Sequence, residues 1–172
     1  FIVTSATYRQ SSDVCEDLLE RDPLNTLLAR QGRHRLEAET VRDVFLASSG
    51  LLNPRIGGPS IYPPLPAFVM AFGRNRSWPE STGPDRYRRG MYIHLRRNVP
   101  YPMLTTFDAS DASLACIQRE RSNAPLQALT LLNDPVFFEC SEKLGERLSA
   151  VSGDLDAKLR QGFELCLGRL PQ

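Results

Sequence analysis

Apolar residues recur at helical spacing over residues 35–49, which makes this stretch the clearest helix in the first third of the chain. Ala38, Val41 and Phe45 fall on one face of the predicted helix, and the charged residues fall on the others. Gly50 follows directly, as expected for a residue that ends a helix in the left-handed conformation. The pattern therefore predicts an amphipathic helix with one face packed on a core.

Residues 1–31 carry shorter signals, which are compatible with two short helices. Asp22 precedes Pro23 and a run of leucines at helical spacing, and this arrangement is typical of a helix start. The second of these two helices is therefore expected to begin at Pro23, with the leucines on one face.

The last segment of the chain, residues 122–168, predicts three helices with short connections. The first is expected to begin at Pro125, with Asn123 or Ser122 as its cap. Its apolar side chains cover nearly the whole circumference, which is typical of a buried helix. These side chains are Leu126, Ala128, Leu129, Leu131 and Leu132.

The other two helices of this segment have clear ends. Asp134 precedes Pro135, so the second helix is expected to begin there with an aspartate cap and to run to about Ala150. Asp154 is expected to cap the third helix, and Gly168 is expected to end it.

Between the helical segments, residues 51–121 are irregular and rich in proline and arginine. Seven of the thirteen prolines lie within residues 52–86, a density that excludes long helices and central strands. A loop of this length is expected to be disordered, functional, or packed as an irregular lid. Residues 87–98 fit a strand or a helix, and the helix is favoured. Residues 100–111 are expected to be extended, because two prolines bias the residues before them away from helix.

Together these patterns predict a mainly α protein: an irregular helical domain with a C-terminal three-helix unit and a long proline-rich loop. Residues 1–172 are expected to form one domain, in which residues 1–50 are helical, residues 51–121 are irregular and residues 122–172 are helical again. Because the chain begins and ends within apparent elements, we expect it to be a fragment of a longer protein.

Charge and hydrophobicity bear on the class of partner. The formal net charge is +1, so the chain has no overall attraction to nucleic acid or to anionic lipid. Nucleic acid is therefore not expected as a partner. No apolar run reaches the ~18 residues that a membrane-spanning helix needs, so no membrane span is expected.

The basic residues are nineteen arginines and two lysines, and seven of the arginines lie within residues 74–97. Arginine makes two-point contacts with carboxylate and phosphate groups, so this segment could bind an anion. Alternatively, its arginines form ion pairs with acids of the same protein. The candidates for either role are Arg88, Arg89, Arg96, Arg97, Arg119 and Arg121.

His94, Asp108 and Asp111 are the candidates for a catalytic acid–base group. No nucleophile elbow, P-loop or zincin motif accompanies them, so the sequence specifies no reaction. A plainer interpretation is that the two aspartates form turns or caps, or that they pair with Arg119 and Arg121 and so tie their loop to the helices.

The four cysteines give no sign of a metal or haem site. Cys15, Cys116, Cys140 and Cys166 form no CxxC pair and no CxxCH haem-attachment motif. Neither histidine lies at the spacing of a zinc ligand. We therefore expect no metal and no cofactor in this segment. The thiols are expected to be buried and free or, in an exported protein, joined as disulfides.

Several stretches occur in an order that resembles one family, the planctomycete PSD domain, a C-terminal domain of unknown function. They are "IVTSATYRQSS", "RDPLNTLLAR", "RLEAETVRDVFLASSGLL", "GGPS", "YRRGMYIHLRRNVPYPMLTTFDASD" and "RERSNAPLQALTLLNDPVF". The resemblance implies an exported protein of the periplasm or cell surface. It also implies two neighbours, an N-terminal domain of the same protein and a cytochrome-c-like module that would carry any haem. It implies no reaction and no catalytic residue.

Two functional hypotheses follow. The first is a non-catalytic interaction or structural module of a larger exported multidomain protein. The second is a domain of an enzyme that acts on acidic or sulfated polysaccharide, with the arginines in an anion-binding cleft. Convergence of six side chains on one cleft would favour the enzyme: His94, Arg96, Arg97, Asp108, Arg119 and Arg121. Bonds from Arg119 or Arg121 to Asp108 or Asp111 would favour the structural role.

Overall fold

A computed structural model describes residues 1–66, 69, 77–110, 112 and 114–171 of the chain. Within these residues the protein is helical and contains no strand, only two isolated β-bridges, so the predicted mainly α fold is confirmed. The chain divides into two compact units, Phe1–Arg35 and Leu36–Gln172. None of the helices in the described residues is long and apolar enough to cross a membrane.

The first unit has a short 3₁₀ turn and one helix, α1 (Glu16–Arg21). The helix expected to begin at Pro23 is not formed, and this prediction was wrong. The carboxylate of Asp22 accepts hydrogen bonds from the backbone N–H groups of Thr26 (2.8 Å) and Leu27 (2.7 Å). It therefore holds a tight loop in place of a helical turn. Aspartate side chains often form such local bonds to the backbone, which replace the hydrogen bonds of a helix.

Five α-helices have described bounds in the second unit. They are α2 (Ala38–Ser49), α3 (Pro102–Thr106), α4 (Pro125–Asn133), α5 (Pro135–Ser149) and α6 (Leu155–Leu167). Two 3₁₀ turns, Gly83–Tyr87 and Gly90–Tyr92, lie between α2 and α3. The helix predicted at residues 35–49 is confirmed as α2, and Gly50 ends it with φ 81°.

The predicted ends of the last two helices are confirmed. Asp134 accepts a hydrogen bond from the N–H of Val136 (2.9 Å) and so caps α5. Asp154 caps α6 through the N–H of Ala157 (3.0 Å), and Gly168 ends α6 with φ 65°. Caps of this kind are local, and each contributes about 1 kcal/mol.

The core lies where α2 packs against α5 and where the irregular segment crosses both. Phe137 of α5 is buried and meets the ring of Phe45 of α2 edge to face, with 4.7 Å between ring centroids. Tyr101 and Met103 pack into the same core. α4 and α6 contact the outer sides of α5, so the predicted three-helix unit is built around α5.

Part of the irregular segment is held to the core by backbone pairing. Ile61 forms an isolated parallel bridge with Ile93, and the N–H of His94 donates to the carbonyl of Ile61 (2.8 Å). The helix favoured for residues 87–98 is therefore wrong, because this pairing needs an extended backbone. The extended chain expected for residues 100–111 is also partly wrong, because α3 begins at Pro102.

α4 departs from the sequence prediction in two ways. Its cap position is Ala124, with no side-chain hydrogen bond, in place of Asn123 or Ser122. It is also not a buried leucine helix, since its one buried residue is Gln127. Three of its leucines are exposed by half or more of their surface: Leu126 (59%), Leu129 (52%) and Leu132 (73%).

Candidate functional site

Arg119 is fixed to the first turn of α2 by two acidic side chains. Its guanidinium donates to both carboxylate oxygens of Glu39, at 2.7 and 3.0 Å, and makes a third contact with Glu37 at 3.4 Å. The two-pronged contact with Glu39 is the stronger type of arginine–carboxylate pair. Arg119 was expected to tie the Asp108 loop to the helices, and it instead pins a later portion of the same segment to α2.

Ser122 is a hydrogen-bond partner of Asp108. The N–H of Ser122 donates to the Asp108 carboxylate at 2.8 Å, and the Ser122 hydroxyl donates to it at 2.9 Å. The buried amide of Gln127 donates to the carbonyls of Thr106 (3.0 Å) and Ser122 (3.3 Å). These bonds bring the two ends of residues 108–122 together, so the segment is an Ω-type loop with a closed base. We call it the 108–122 loop.

The 108–122 loop encloses an open groove with a volume of about 1060 Å³. Its walls are Glu37 of the α2 terminus, Ser110, and the consecutive residues 116–122. Two large apolar side chains of the loop are exposed, Leu114 (83%) and Ile117 (104%). The loop is therefore bonded at its base and at Arg119, while Leu114 and Ile117 face solvent together with Glu120 and Arg121.

Arg88 is one of the six predicted anion-binding residues, and it is buried. It is 1% exposed, and its guanidinium donates to the carbonyls of Pro59 (2.8 Å) and Gly57. The guanidinium carbon lies 3.8 Å from the centroid of the Tyr92 ring. Arg88 therefore holds the loop at residues 55–59 closed against the core.

Two further arginines of the segment also have acidic partners within the protein. Arg89 donates from Nε to Asp43 at 2.8 Å. Arg86 makes a two-pronged pair with Glu139 of α5, and also contacts Glu80. Arg86 and Arg89 therefore form ion pairs with acids of the same protein, which is the second of the two roles considered for this segment.

His94 lies among aromatic rings. Its ring centroid is 4.8 Å from that of Tyr62 and 6.4 Å from that of Trp78. Arg96 lies over Trp78 and donates to the carbonyl of Ser77 at 2.9 Å. His94 therefore contacts aromatic rings, whereas the carboxylate of Asp108 is bonded at the base of the 108–122 loop.

The remaining candidate residues are placed as follows. Arg97 and Arg121 are exposed. Asp111 lies outside the described residues. Cys140 is the buried cysteine, and burial raises the pKa of its thiol, whereas the other three cysteines are exposed. Within the described residues of the chain, no group of three or more His, Cys, Asp or Glu side chains could hold a metal ion.

Some site residues were missed by the sequence reasoning. Glu37 and Glu39 were placed only among the charged residues that lie off the apolar face of the predicted helix. Gln127 was hidden in a helix that looked uniformly apolar. A single polar residue within that apolar run is the one signal that could have indicated a buried anchor, because a buried amide needs hydrogen-bond partners.

A comparison with protein-family models matches the chain over residues 1–172. The chain belongs to the PSD1 family. The family is described as a protein of unknown function (DUF1553). No curated protein and no solved structure matches the chain. The family resemblance of the sequence motifs is confirmed at this level, and the PSD1 match covers both compact units.

The Arg119–Glu39 pair of this PSD1 chain should make its stability depend on pH. Burial alone would raise the pKa of Glu39, but the hydrogen bond and charge of Arg119 outweigh it and hold that pKa below 4.5, its ordinary value. The folded-state pKa is thus lower than the unfolded one. The pair therefore stabilises the protein at neutral pH, and its contribution disappears as the pH falls through the folded value.

We expect Glu39→Gln to lower the free energy of unfolding by about 1 kcal/mol at pH 7, the upper range for a partly exposed pair. Below pH 4 the difference from the wild type should shrink towards zero. Urea unfolding at pH 7 and pH 3.5 measures it. A difference that does not change between the two pH values would contradict the role of this pair.

Proposed function

We propose that this PSD1 chain is a non-catalytic interaction module of a larger exported multidomain protein. Its partner would be a neighbouring domain of the same protein, and the 108–122 loop would be the docking surface. The family resemblance supports the context: an N-terminal domain, a cytochrome-c-like module, a planctomycete source, and a location in the periplasm or at the cell surface.

The observation that carries the proposal is that the 108–122 loop is anchored at several points and exposes two large apolar side chains. The base is closed by Asp108, Ser122 and Gln127, and the middle is pinned by Arg119. A loop anchored at these points loses less conformational entropy when it binds than an unanchored loop does. What it presents to a partner is the apolar pair Leu114 and Ile117, beside an open groove.

The arginine contacts favour this function over a polysaccharide-binding cleft. Arg88 and Arg89 are bonded within the protein, and Arg119 is bonded to Glu39. An acidic glycan would have to displace these internal partners. Apolar surface is left for a partner instead, since Leu114 and Ile117 of the 108–122 loop are exposed.

Cys116 provides a direct test, because it is an exposed thiol within the loop. Alkylation by iodoacetamide should be at least tenfold slower at Cys116 in the complete gene product than in the 172-residue chain. Cys15 and Cys166 are exposed thiols outside the loop and serve as internal controls. Equal Cys116 rates in both proteins would contradict the proposal.

A variant makes the test specific for the apolar contact. Ile117→Glu places a charge at a fully exposed position, so it should leave the unfolding midpoint of the isolated chain unchanged. In the complete gene product it should restore fast alkylation of Cys116. The matched control is Leu155→Glu, a 72% exposed leucine on α6, which should leave Cys116 protected.

A further inference from the structure

The guanidinium of Arg88 carries a buried positive charge that has no acidic partner among the described residues. Arg88 is 1% exposed, and its hydrogen bonds go to the carbonyl oxygens of Arg55, Gly57 and Pro59. Its Nε is covered as well and has no hydrogen-bond partner in the part of the chain that the structure describes. Because a buried charge is normally paired, the charge of Arg88 remains available to attract an anion at the nearby surface.

A second guanidinium, that of Arg55, converges on the same place. A Cβ added at Gly58 would lie 3.6 Å from Nη1 of Arg88 and 3.7 Å from Nη2 of Arg55. The side chain of Arg55 is 61% exposed, and its ion pair with Asp85 is long, at 3.9 Å between Nη1 and Oδ1. Two like charges this close together repel each other. An anion held beside both guanidinium groups would remove that repulsion.

The turn at Gly57 and Gly58 leaves space for such an anion. Both residues have positive φ, 77° and 90°, a conformation that glycine adopts without strain. Gly58 is exposed and has no side chain to cover the two arginines. The N–H of Gly57 donates to the Tyr92 hydroxyl at 2.8 Å, whereas the N–H of Gly58 has no acceptor among the described residues. Backbone N–H groups of such turns contribute to anion-binding sites.

We propose that this turn binds a small oxoanion of the sulfate or phosphate type. The anion lies over Gly58 and accepts hydrogen bonds from Arg55 and from the N–H of Gly58. Arg88 supplies a fixed charge beneath it and keeps its own bonds to the carbonyl groups, so binding does not require the core to open. The planar fork of an arginine matches two oxygens of such an anion. We call Arg55, Gly58 and Arg88 the Gly58 anion site.

The balance of charge favours a doubly charged anion over chloride. The two arginines supply two positive charges, and the carboxylate of Asp85 offsets part of the charge of Arg55. A tetrahedral oxoanion offers a separate oxygen to each donor, whereas chloride is one atom with one charge. Exposed charges are screened by salt, so this selectivity has to be measured at constant ionic strength.

The Gly58 anion site does not depend on the 108–122 loop or on a neighbouring domain. Loss of protection at Cys116 tests the loop and says nothing about anion binding. Binding of sulfate to the isolated chain tests the anion site, so either proposal can fail without the other.

Titration of the ¹⁵N-labelled chain with sodium sulfate tests the site, with sodium chloride holding the ionic strength constant. The amide signal of Gly58 should shift and saturate with a dissociation constant on the order of 1 mM, typical of a few hydrogen bonds to charged groups. Phosphate should give the same saturable shift. Arg55→Gln should weaken sulfate binding at least tenfold. Arg97→Gln, at an exposed arginine of the same irregular segment, should leave it unchanged.

Two glycine variants provide a matched pair. Gly57→Ala and Gly58→Ala both put a side chain at positive φ, but only the Cβ at position 58 meets the two arginines, since nothing lies within 4 Å of the Cβ position at Gly57. Gly58→Ala should abolish the saturable shifts of the surrounding amides, and Gly57→Ala should retain them. The amide spectrum also shows whether each variant is folded. If Gly58→Ala is not folded, Arg55→Gln decides the question, because its side chain is mostly exposed.

Three results would overturn the proposal. The first is a shift at Gly58 that does not saturate with sulfate, since electrostatic screening alone would then explain it. The second is equal weakening by Arg55→Gln and Arg97→Gln, which would mean that the attraction is not local. The third is equal loss of binding in folded Gly57→Ala and Gly58→Ala, which would mean that the anion does not lie over Gly58.

Discussion

Replacement of Gly90 by alanine is expected to lower the free energy of unfolding by about 3 kcal/mol, the upper end for overpacking in a core. A Cβ at this position would lie 2.7 Å from both the Cα and the carbonyl oxygen of Glu39. Both are backbone atoms of α2, so no side chain can rotate away. The backbone must separate instead. That movement would strain the bond from the N–H of Gly90 to Asp43, now 2.6 Å long.

Gly145 is the matched control for this substitution. It lies inside α5, and nothing lies within 4 Å of the position of its Cβ. Gly145→Ala should therefore stabilise the protein by about 0.5–1 kcal/mol, since glycine is unfavourable inside a helix. Urea unfolding of the two variants measures both effects. Equal effects of the two substitutions would show that the approach of Gly90 to α2 is not tight.

Replacement of Arg88 by methionine is expected to destabilise the protein by about 3 kcal/mol. Methionine fills much of the same volume but donates no hydrogen bond. The carbonyls of Gly57 and Pro59 would lose their donor, and a hydrogen bond from a charged group contributes about 1.5–3 kcal/mol. Removal of a buried charge offsets some of this loss, because a buried guanidinium is poorly solvated.

Arg97→Met serves as the control, because Arg97 is an exposed arginine of the same segment. Its effect on the free energy of unfolding should be within about 0.5 kcal/mol. Chemical denaturation and proteolysis at residues 55–59 compare the two variants. If Arg88→Met is as stable as Arg97→Met and its 55–59 loop is not cleaved faster, the buried contacts of Arg88 do not hold that loop.

The helices that could be predicted from the sequence are those whose signals are local. Asp134 and Asp154 lie within a few residues of the N–H groups that they cap. The left-handed glycine at Gly168 is equally local. Periodicity and capping act within one or two turns, so a single sequence contains the information needed to find α5 and α6.

The middle of the chain could not be predicted, because distant contacts decide its conformation. A glycine at position 90 disfavours a helix there, but no neighbouring residue in the sequence indicates that Gly90 lies against Glu39. Arg119 and Glu39 are 80 positions apart, and in the sequence each of them has many possible partners of opposite charge. The arginines of residues 86–97 give a pattern of charge, but the pattern does not state that Arg88 is buried against carbonyl groups.

α4 shows a different limit of sequence reasoning. Its apolar circumference correctly indicates that the helix avoids water on many sides. It does not say which surfaces cover it within one chain, and half of that surface lies open.

The closed base of the 108–122 loop has a consequence for variation among relatives. Because Asp108 and Ser122 fix its two ends, the residues between them can change in length and composition without moving α3 or α4. Each doubling of the length of such a loop costs only about 0.6 kcal/mol in closure entropy. The loop is therefore a natural graft point: one scaffold could acquire new recognition sequences there while its folding determinants stay the same.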